Sequence, residues 1–190
     1  MGRVNAEEER ASARIPVWDW PVRLLHWTLA ALVGVDLVRD NGDYEHRMIG
    51  YAAVVVVVAR LIWACVSRSH GGLAGLRTSV PGSLTYLKLL LRGKPPRSVG
   101  HDPLGVWMIW LLWALVLLLG VTGWMSRLDA FWGDDGIRNV HSFLADLLLL
   151  AVIGHLAGVI AMSWLWRENL PASMITGCKQ SDEQATRRAP

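Results

Sequence analysis

Cysteine is scarce in this sequence, and the two that occur, Cys65 and Cys178, lie far apart. Neither a CxxC nor a CxxCH motif occurs, which disfavours a covalently attached c-type haem and a cysteine-rich zinc or iron–sulfur site. The polar N-terminus lacks the apolar core of a signal peptide, so membrane insertion would rely on later segments. The net charge is +3 without a massed basic stripe, which disfavours a nucleic-acid partner. Phenylalanine is rare, at two residues, whereas tryptophan, which favours membrane interfaces, reaches 11.

Long apolar runs are the main feature that the sequence does have. It has 190 residues, 53% of them hydrophobic, which is too apolar for most soluble domains and too short for two large ones. At about 1.5 Å per residue, a helix of such a run can cross the ~30 Å hydrocarbon core of a bilayer. The sequence therefore predicts an all-α, integral membrane four-helix bundle. The predicted spans cover residues 21–38, 46–66, 104–125 and 137–166.

Basic residues are divided unequally between the two sides of this predicted bundle. The N-terminal tail with Arg23, the 67–102 connection and the C-terminal tail share one side and hold 14 of the 19 Lys and Arg residues, whereas the two opposite loops hold four. The positive-inside rule then places both termini in the cytoplasm. Residues 81–92 carry leucines on one side and Lys88 and Arg92 on the other, which predicts a cytoplasmic amphipathic helix lying on the membrane surface.

Four histidines lie in or beside three of the predicted spans: His26 in the first, His46 at the start of the second, and His141 and His155 in the fourth. A histidine inside a span is costly and is a functional candidate by default. His141 and His155 are fourteen residues apart, so both leave nearly the same helix face, about 21 Å apart along the axis. Comparable depth pairs His46 with His141, the outer pair, and His26 with His155, the inner pair.

Two histidines per level suit the two axial positions of a haem iron, whereas zinc normally takes three or four protein ligands. Because such ligation fills both axial positions, it favours electron transfer over chemistry at the iron. The alternative is that these histidines are buried side chains hydrogen-bonded to neighbouring helices.

Several short motifs, taken together, resemble a known family. They are WDWPVRLLHW at 18–27, HRMIGY at 46–51, GHDPLG at 100–105, His141, GHLAGV at 154–159, RENL at 167–170 and MITG at 174–177. Their order and spacing are similar to the bacterial cytochrome b561 and nickel–iron hydrogenase b-type cytochrome family. The resemblance implies a cytochrome b membrane domain at 17–179 with two haem b groups ligated from helices one, two and four. The flanking residues 1–16 and 180–190 are predicted to be disordered.

Charged residues near the predicted levels are candidate cofactor contacts. Arg60, inside the second span, can pair with propionates of the inner haem or extend its head to the interface. Arg47 and Arg39 can serve the outer haem, the alternative being solvated loop arginines.

The remaining polar residues are given mainly structural roles. Asp36 and Asp146 can accept protons from a quinol, but pairing with a nearby arginine or a backbone group is favoured. His101 is expected to be exposed or to cap a helix, and His70 to be an ordinary loop residue.

The sequence thus predicts a dihaem b-type cytochrome that carries electrons between the quinone pool and a redox partner in a respiratory chain. The partner would be a c-type cytochrome or a hydrogenase or dehydrogenase subunit, with quinone or quinol as a substrate. One alternative is the cytochrome b subunit of a hydrogenase or dehydrogenase complex. A histidine-lined metal or proton transporter and a cofactor-free membrane anchor are alternatives of other classes, and the absence of an evident inverted repeat argues against the transporter.

Overall fold

The computed structural model describes residues 14–39, 42–93, 95–131, 133 and 135–180. Within these residues the chain forms six α-helices and one small antiparallel sheet. The elements are β1 (Arg14–Pro16), α1 (Trp20–Val38), α2 (Tyr44–Val66), α3 (Val80–Leu91), α4 (Pro103–Met125), α5 (Asp135–Leu165), α6 (Leu170–Thr176) and β2 (Cys178–Gln180), with 3-10 turns at Leu73–Leu76 and Asp129–Phe131.

Four of the helices, α1, α2, α4 and α5, are long and apolar enough to cross a membrane, and their bounds lie within two residues of those predicted. Capping side chains explain where two of them begin. The Asp43 carboxylate accepts a hydrogen bond from the His46 backbone N–H at 2.8 Å, and the Asp102 carboxylate accepts from the N–H groups of Leu104 and Gly105 at 3.0 and 2.9 Å. The four long apolar helices confirm the predicted all-α membrane bundle.

The spans pack in the order α1 on α2, α2 on α4, and α4 on α5. Val57 of α2, Trp113 of α4 and Leu148 of α5 belong to the buried core that joins them. Helices α2 and α4 approach closely at Gly120, where any side chain would collide with Val54. Large apolar side chains cover much of the outer surface of the spans, which suits contact with lipid.

Helix α3 forms in the 67–102 connection, as predicted, and lies against α4. The face of α3 that packs against the protein is not its leucine-rich face. Ser83 and Tyr86 are buried, and the Trp107 indole N–H donates to the Ser83 hydroxyl at 3.1 Å. Leu84 and Leu91 are exposed instead, which leaves them free to contact lipid.

The two ends of the membrane domain are joined by the β1–β2 ladder, which pairs Ile15 with Lys179. The N–H groups of Val17 and Trp18 extend this junction by donating to the Gly177 carbonyl at 2.8 and 3.0 Å. The prediction of disorder was therefore wrong for residues 14–16 and 180. Three-residue strands are too short to carry a readable period, and their partners lie at opposite ends of the chain. The other residues predicted to be disordered, 1–13 and 181–190, lie outside the described residues.

Candidate functional site

The structure brings the four candidate histidines together as two pairs. His46 of α2 and His141 of α5 form the outer pair, with ring centroids 6.2 Å apart. His26 of α1 and His155 of α5 form the inner pair, with ring centroids 6.5 Å apart. Both pairs therefore use α5, and each draws its second member from a different helix.

The spacing within each pair fits two imidazoles on opposite sides of one metal ion. An imidazole nitrogen binds a metal such as zinc at about 2.0–2.1 Å, and roughly 1.15 Å more separates that nitrogen from its ring centroid, which predicts centroids roughly 6.3–6.5 Å apart. Among the described residues, no group of three or more His, Cys, Asp and Glu side chains could hold a metal ion. The pairs thus suit a cofactor that supplies its own equatorial ligands.

Open space lies along α1 between the levels of the two pairs. A groove of about 430 Å³ is lined by small residues, including Ala30, Ala31 and Gly34, and it reaches Arg39 at the end of the helix. On α5, a Cβ added at Gly158 would meet no atom within 4 Å. Small residues at these positions thus leave open space next to α1 and α5.

The outer pair is held by hydrogen bonds at the second ring nitrogen of each histidine. His46 Nδ1 lies 3.1 Å from the Arg39 carbonyl oxygen and 3.0 Å from Oδ1 of Asp36. His141 Nδ1 lies 2.8 Å from the Thr122 hydroxyl. Next to Thr122, a Cβ at Gly123 would lie only 3.3 Å from Cε1 of His141, so the missing side chain lets the ring approach α4. The Nε2 atoms of both rings remain for a ligand.

The inner pair has a different environment. Nδ1 of His26 is buried without a hydrogen-bond partner, and the His155 ring forms no hydrogen bond or ion pair with any residue that the structure describes. A buried ring nitrogen without a partner is costly in a folded protein, and ligation is one way to satisfy it. The residues of both levels therefore fit axial ligation.

Comparison with known proteins decides which cofactor class applies. The family model of prokaryotic cytochrome b561 matches residues 17–177, which includes both histidine pairs. The chain belongs to the prokaryotic cytochrome b561 family. It is thus a multi-pass membrane cytochrome of electron transfer that binds b-type haem, and the transporter and anchor hypotheses fall away. No curated protein matches the chain.

Arg60 of this cytochrome is buried within α2 and does not extend to the interface. Its Nη2 donates to the Gly71 carbonyl at 2.6 Å, and its guanidinium carbon lies 5.4 Å from the centre of the Trp113 ring. Nη1 is buried and has no hydrogen-bond partner. The buried charge therefore keeps one donor available for an anion.

His101 lies near Arg60, and the expectation that it is exposed or caps a helix was wrong. Its ring packs on Trp18 at a centroid distance of 4.5 Å, its Nδ1 is buried without a partner, and Asp102 caps α4 instead. Burial, reinforced by the charges of Arg60 and Lys179, lowers the pKa of His101 to about 3, so the ring is neutral at physiological pH.

Lys179 completes this region from the C-terminal strand. Its ammonium group donates to the carbonyls of Ser98 and Gly100, both at 3.3 Å, and lies 5.8 Å from the centre of the Trp18 ring. Burial lowers the Lys179 pKa, and the nearby Glu168 carboxylate opposes that shift. Sequence reasoning missed Lys179 because it falls within a short polar segment at the end of the membrane domain.

The other candidates have less distinctive environments. Arg47 is half-buried and donates to the Asp43 carbonyl at 3.3 Å, while Arg39 pairs with Glu45 at the exposed end of the bundle. Asp146 is exposed on α5, and the structure gives it none of the expected partners among the described residues.

His70 is an exposed loop residue, as predicted. Sequence reasoning missed Thr122. One signal was available, namely that Thr122 is the only residue of α4 with a hydroxyl side chain.

Proposed function

We propose that this cytochrome carries two haem b groups, one at each histidine pair, and moves electrons between the quinone pool and a redox partner in a respiratory chain. The observation that supports the proposal most strongly is the pairing itself. Two imidazole pairs, with centroids 6.2 and 6.5 Å apart, lie at opposite ends of α5. Their ligand positions on α5, His141 and His155, are about 21 Å apart along the helix axis.

Each residue of the two pairs has one task in this proposal, which is to bind and orient an iron through one ring nitrogen. His46 and His141 would hold one haem, and His26 and His155 the other. When bound, a b-type haem supplies reversible one-electron oxidation and reduction. Because two histidines would hold each haem, the chain's role would be to keep the centres at fixed depths and tune their potentials.

Arg60 is the residue that we assign to the carboxylates of the inner haem. Its support is the buried Nη1 without a partner, in a region where Trp18 and His101 also have buried nitrogens without partners. A buried guanidinium is stabilised strongly by a carboxylate, and Arg forms such pairs readily. For the outer haem we assign Arg47, which is half-buried in the first turn of α2 next to His46.

Both termini face the cytoplasm of a bacterial inner membrane in this proposal, because the sides of the bundle differ so strongly in Lys and Arg. The inner pair then lies on the cytoplasmic side and the outer pair on the periplasmic side. Candidate partners are a c-type cytochrome and a hydrogenase or dehydrogenase subunit. The second case would make the chain a cytochrome b subunit of a larger complex, with the same haem ligands.

The test is to purify the full-length chain in detergent, determine haem b and protein separately, and titrate the visible spectrum against potential. We expect two haem b per chain, two one-electron centres with low-spin spectra, and reduction by a short-chain quinol. A His70→Ala variant, which changes an exposed loop histidine, should give the same values.

Each outcome bears on a separate part of the proposal. One haem per chain would contradict the dihaem assignment. Two haems that no quinol reduces would contradict the link to the quinone pool while leaving the ligand assignment intact. Co-purification of a dehydrogenase or hydrogenase subunit in stoichiometric amount would favour the larger complex over a free-standing carrier.

A further inference from the structure

The two histidine pairs differ in the hydrogen bonds that their imidazole rings form. In the outer pair, both Nδ1 atoms have oxygen partners, at 3.1 and 3.0 Å for His46 and 2.8 Å for His141. In the inner pair, neither the His26 ring nor the His155 ring forms a hydrogen bond with any residue that the structure describes. The chain thus builds two dissimilar ligand environments.

The partners of His46 fix which of its nitrogens carries the proton. A backbone carbonyl, that of Arg39, can only accept a hydrogen bond, so Nδ1 of His46 must donate. Oδ1 of Asp36 lies at nearly the same distance as an ion-pair contact, is buried, and forms no hydrogen bond of its own. The N–H at Nδ1 of His46 is therefore hydrogen-bonded to the Arg39 carbonyl and lies beside the Asp36 carboxylate, and Nε2 keeps its lone pair.

The same conclusion holds for His141, through the hydroxyl of Thr122. That hydroxyl has a single proton, which it donates to the Leu118 carbonyl at 2.9 Å and more distantly to the Leu119 carbonyl at 3.2 Å. With that proton on a carbonyl, the Thr122 oxygen accepts from Nδ1 of His141, the arrangement that leaves Nε2 free for a ligand. Both outer imidazoles thus present Nε2 to the space between them.

From this asymmetry we propose that Asp36 and Thr122 are positioning residues that set the haem of the outer pair at a lower reduction potential than the haem of the inner pair. This inference rests on the haem ligation proposed above. An acceptor at the outer N–H of a ligating imidazole raises the basicity of the ligating nitrogen, and a carboxylate does so most strongly. A more basic ligand favours the ferric state over the ferrous state, and this lowers the potential.

The distribution of buried cations acts in the same direction. Arg60 and Lys179 are buried on the side of the inner pair together with one carboxylate, that of Glu168, so the buried charge there stays positive and favours the ferrous state. On the side of the outer pair, Arg39 is exposed and paired with Glu45. Arg47, half-buried there, carries a positive charge that works against this difference. The ligand environments therefore favour electron movement from the outer level to the inner level.

The experiment compares Asp36→Asn with Asp146→Asn in the haem-loaded, full-length protein. Both substitutions remove one carboxylate charge from a spanning helix, but only Asp36 contacts a ligand histidine, whereas Asp146 is exposed on α5. We expect Asp36→Asn to shift the ferric-to-ferrous equilibrium of the outer centre towards the ferrous state by three- to tenfold. Tenfold corresponds to 59 mV for a one-electron couple. The inner centre and Asp146→Asn should remain at the wild-type values.

Two further variants separate positioning from general damage. Asp36→Glu keeps a carboxylate and should restore most of the wild-type potential. Thr122→Val keeps the side-chain shape, removes the acceptor, and should shift the outer centre in the same direction by a smaller factor. If Asp36→Asn loses haem, the Thr122→Val potential decides, and an unchanged value there overturns the proposal.

The remaining outcomes are equally decisive. Equal shifts of the outer-centre potential in Asp36→Asn and Asp146→Asn would mean that any nearby carboxylate charge has the same effect. That result would overturn the positioning role of Asp36. If His141→Ala removed the centre that has the higher potential in the wild-type protein, the proposed order of potentials would be overturned. Failure of the underlying ligand assignment looks different, because His141→Ala would then leave both low-spin centres in place.

Discussion

At the scale of single residues, the most informative position is Arg60, because a charge buried in a membrane bundle must be satisfied by the protein or by a bound group. Its direct contacts in the structure are a carbonyl and an aromatic ring, and the Asp19 carboxylate acts on it only through space, without a hydrogen bond or an ion pair. A buried cation in this setting is costly unless an anion accompanies it. The two carboxylates of a b-type haem supply such an anion.

Arg60→Gln should lower the potential of the inner centre, since loss of a buried positive charge destabilises the ferrous state. We expect a three- to tenfold shift towards the ferric form, roughly 0.7–1.4 kcal/mol, in an optical redox titration. Arg60→Lys should preserve most of the potential because it preserves the charge. Arg68→Gln removes an exposed loop charge and serves as the control. An unchanged inner centre in Arg60→Gln would contradict the assignment of Arg60 to that haem.

Sequence reasoning at this scale succeeded where the energetic cost of burying a polar side chain in a membrane span is informative by itself. A histidine inside an apolar run has few explanations, and depth along the helices was enough to group His26 with His155 and His46 with His141, as the structure has them. It failed where the role depends on a contact across the fold. Asp36 was expected to pair with an arginine or a backbone group, yet it approaches His46, whose position relative to α1 no sequence period reports.

At the scale of secondary-structure elements, the spans were predictable because a bilayer sets their length and composition. The face that each helix turns to its neighbours was harder to predict. Helix α3 illustrates this, because it buries Ser83 and Tyr86 and exposes Leu84. In a membrane-bound bundle, the rule that the apolar face of a helix packs on the protein core is weaker, because lipid solvates leucine as readily as a protein core does. The β1–β2 ladder escaped prediction because its strands have three residues each.

Close packing between α2 and α4 gives a prediction at this scale. Gly120→Ala introduces a Cβ that would collide with Val54, whose branched side chain is stiff within a helix. We expect a loss of about 1–3 kcal/mol in the free energy of unfolding. The measurement is thermal unfolding in detergent. Ala114→Val adds bulk at an exposed position of the same helix and should have little effect. Equal stability of Gly120→Ala and wild type would refute the close approach.

At the scale of the whole molecule, the bundle is a membrane protein whose lipid-facing surface is apolar and whose histidine pairs lie at two depths. Orientation then decides which pair faces which compartment. Reporter fusions after residues 43 and 134 should read periplasmic, and a fusion after residue 93 should read cytoplasmic, because basic residues are concentrated on that side. A periplasmic signal from the fusion after residue 93 would reverse the two sides and the direction inferred for electron movement.

The central claim is that the four histidines form two ligand pairs, each holding one haem. It is tested most directly by redox titration of four single variants, with haem and protein determined on folded material. His46→Ala and His141→Ala should give matching titrations that retain only the inner centre. His26→Ala and His155→Ala should match each other and retain only the outer centre. If His26→Ala instead removed the same centre as His141→Ala, or if all four variants kept two low-spin haems, the two-level arrangement would be contradicted.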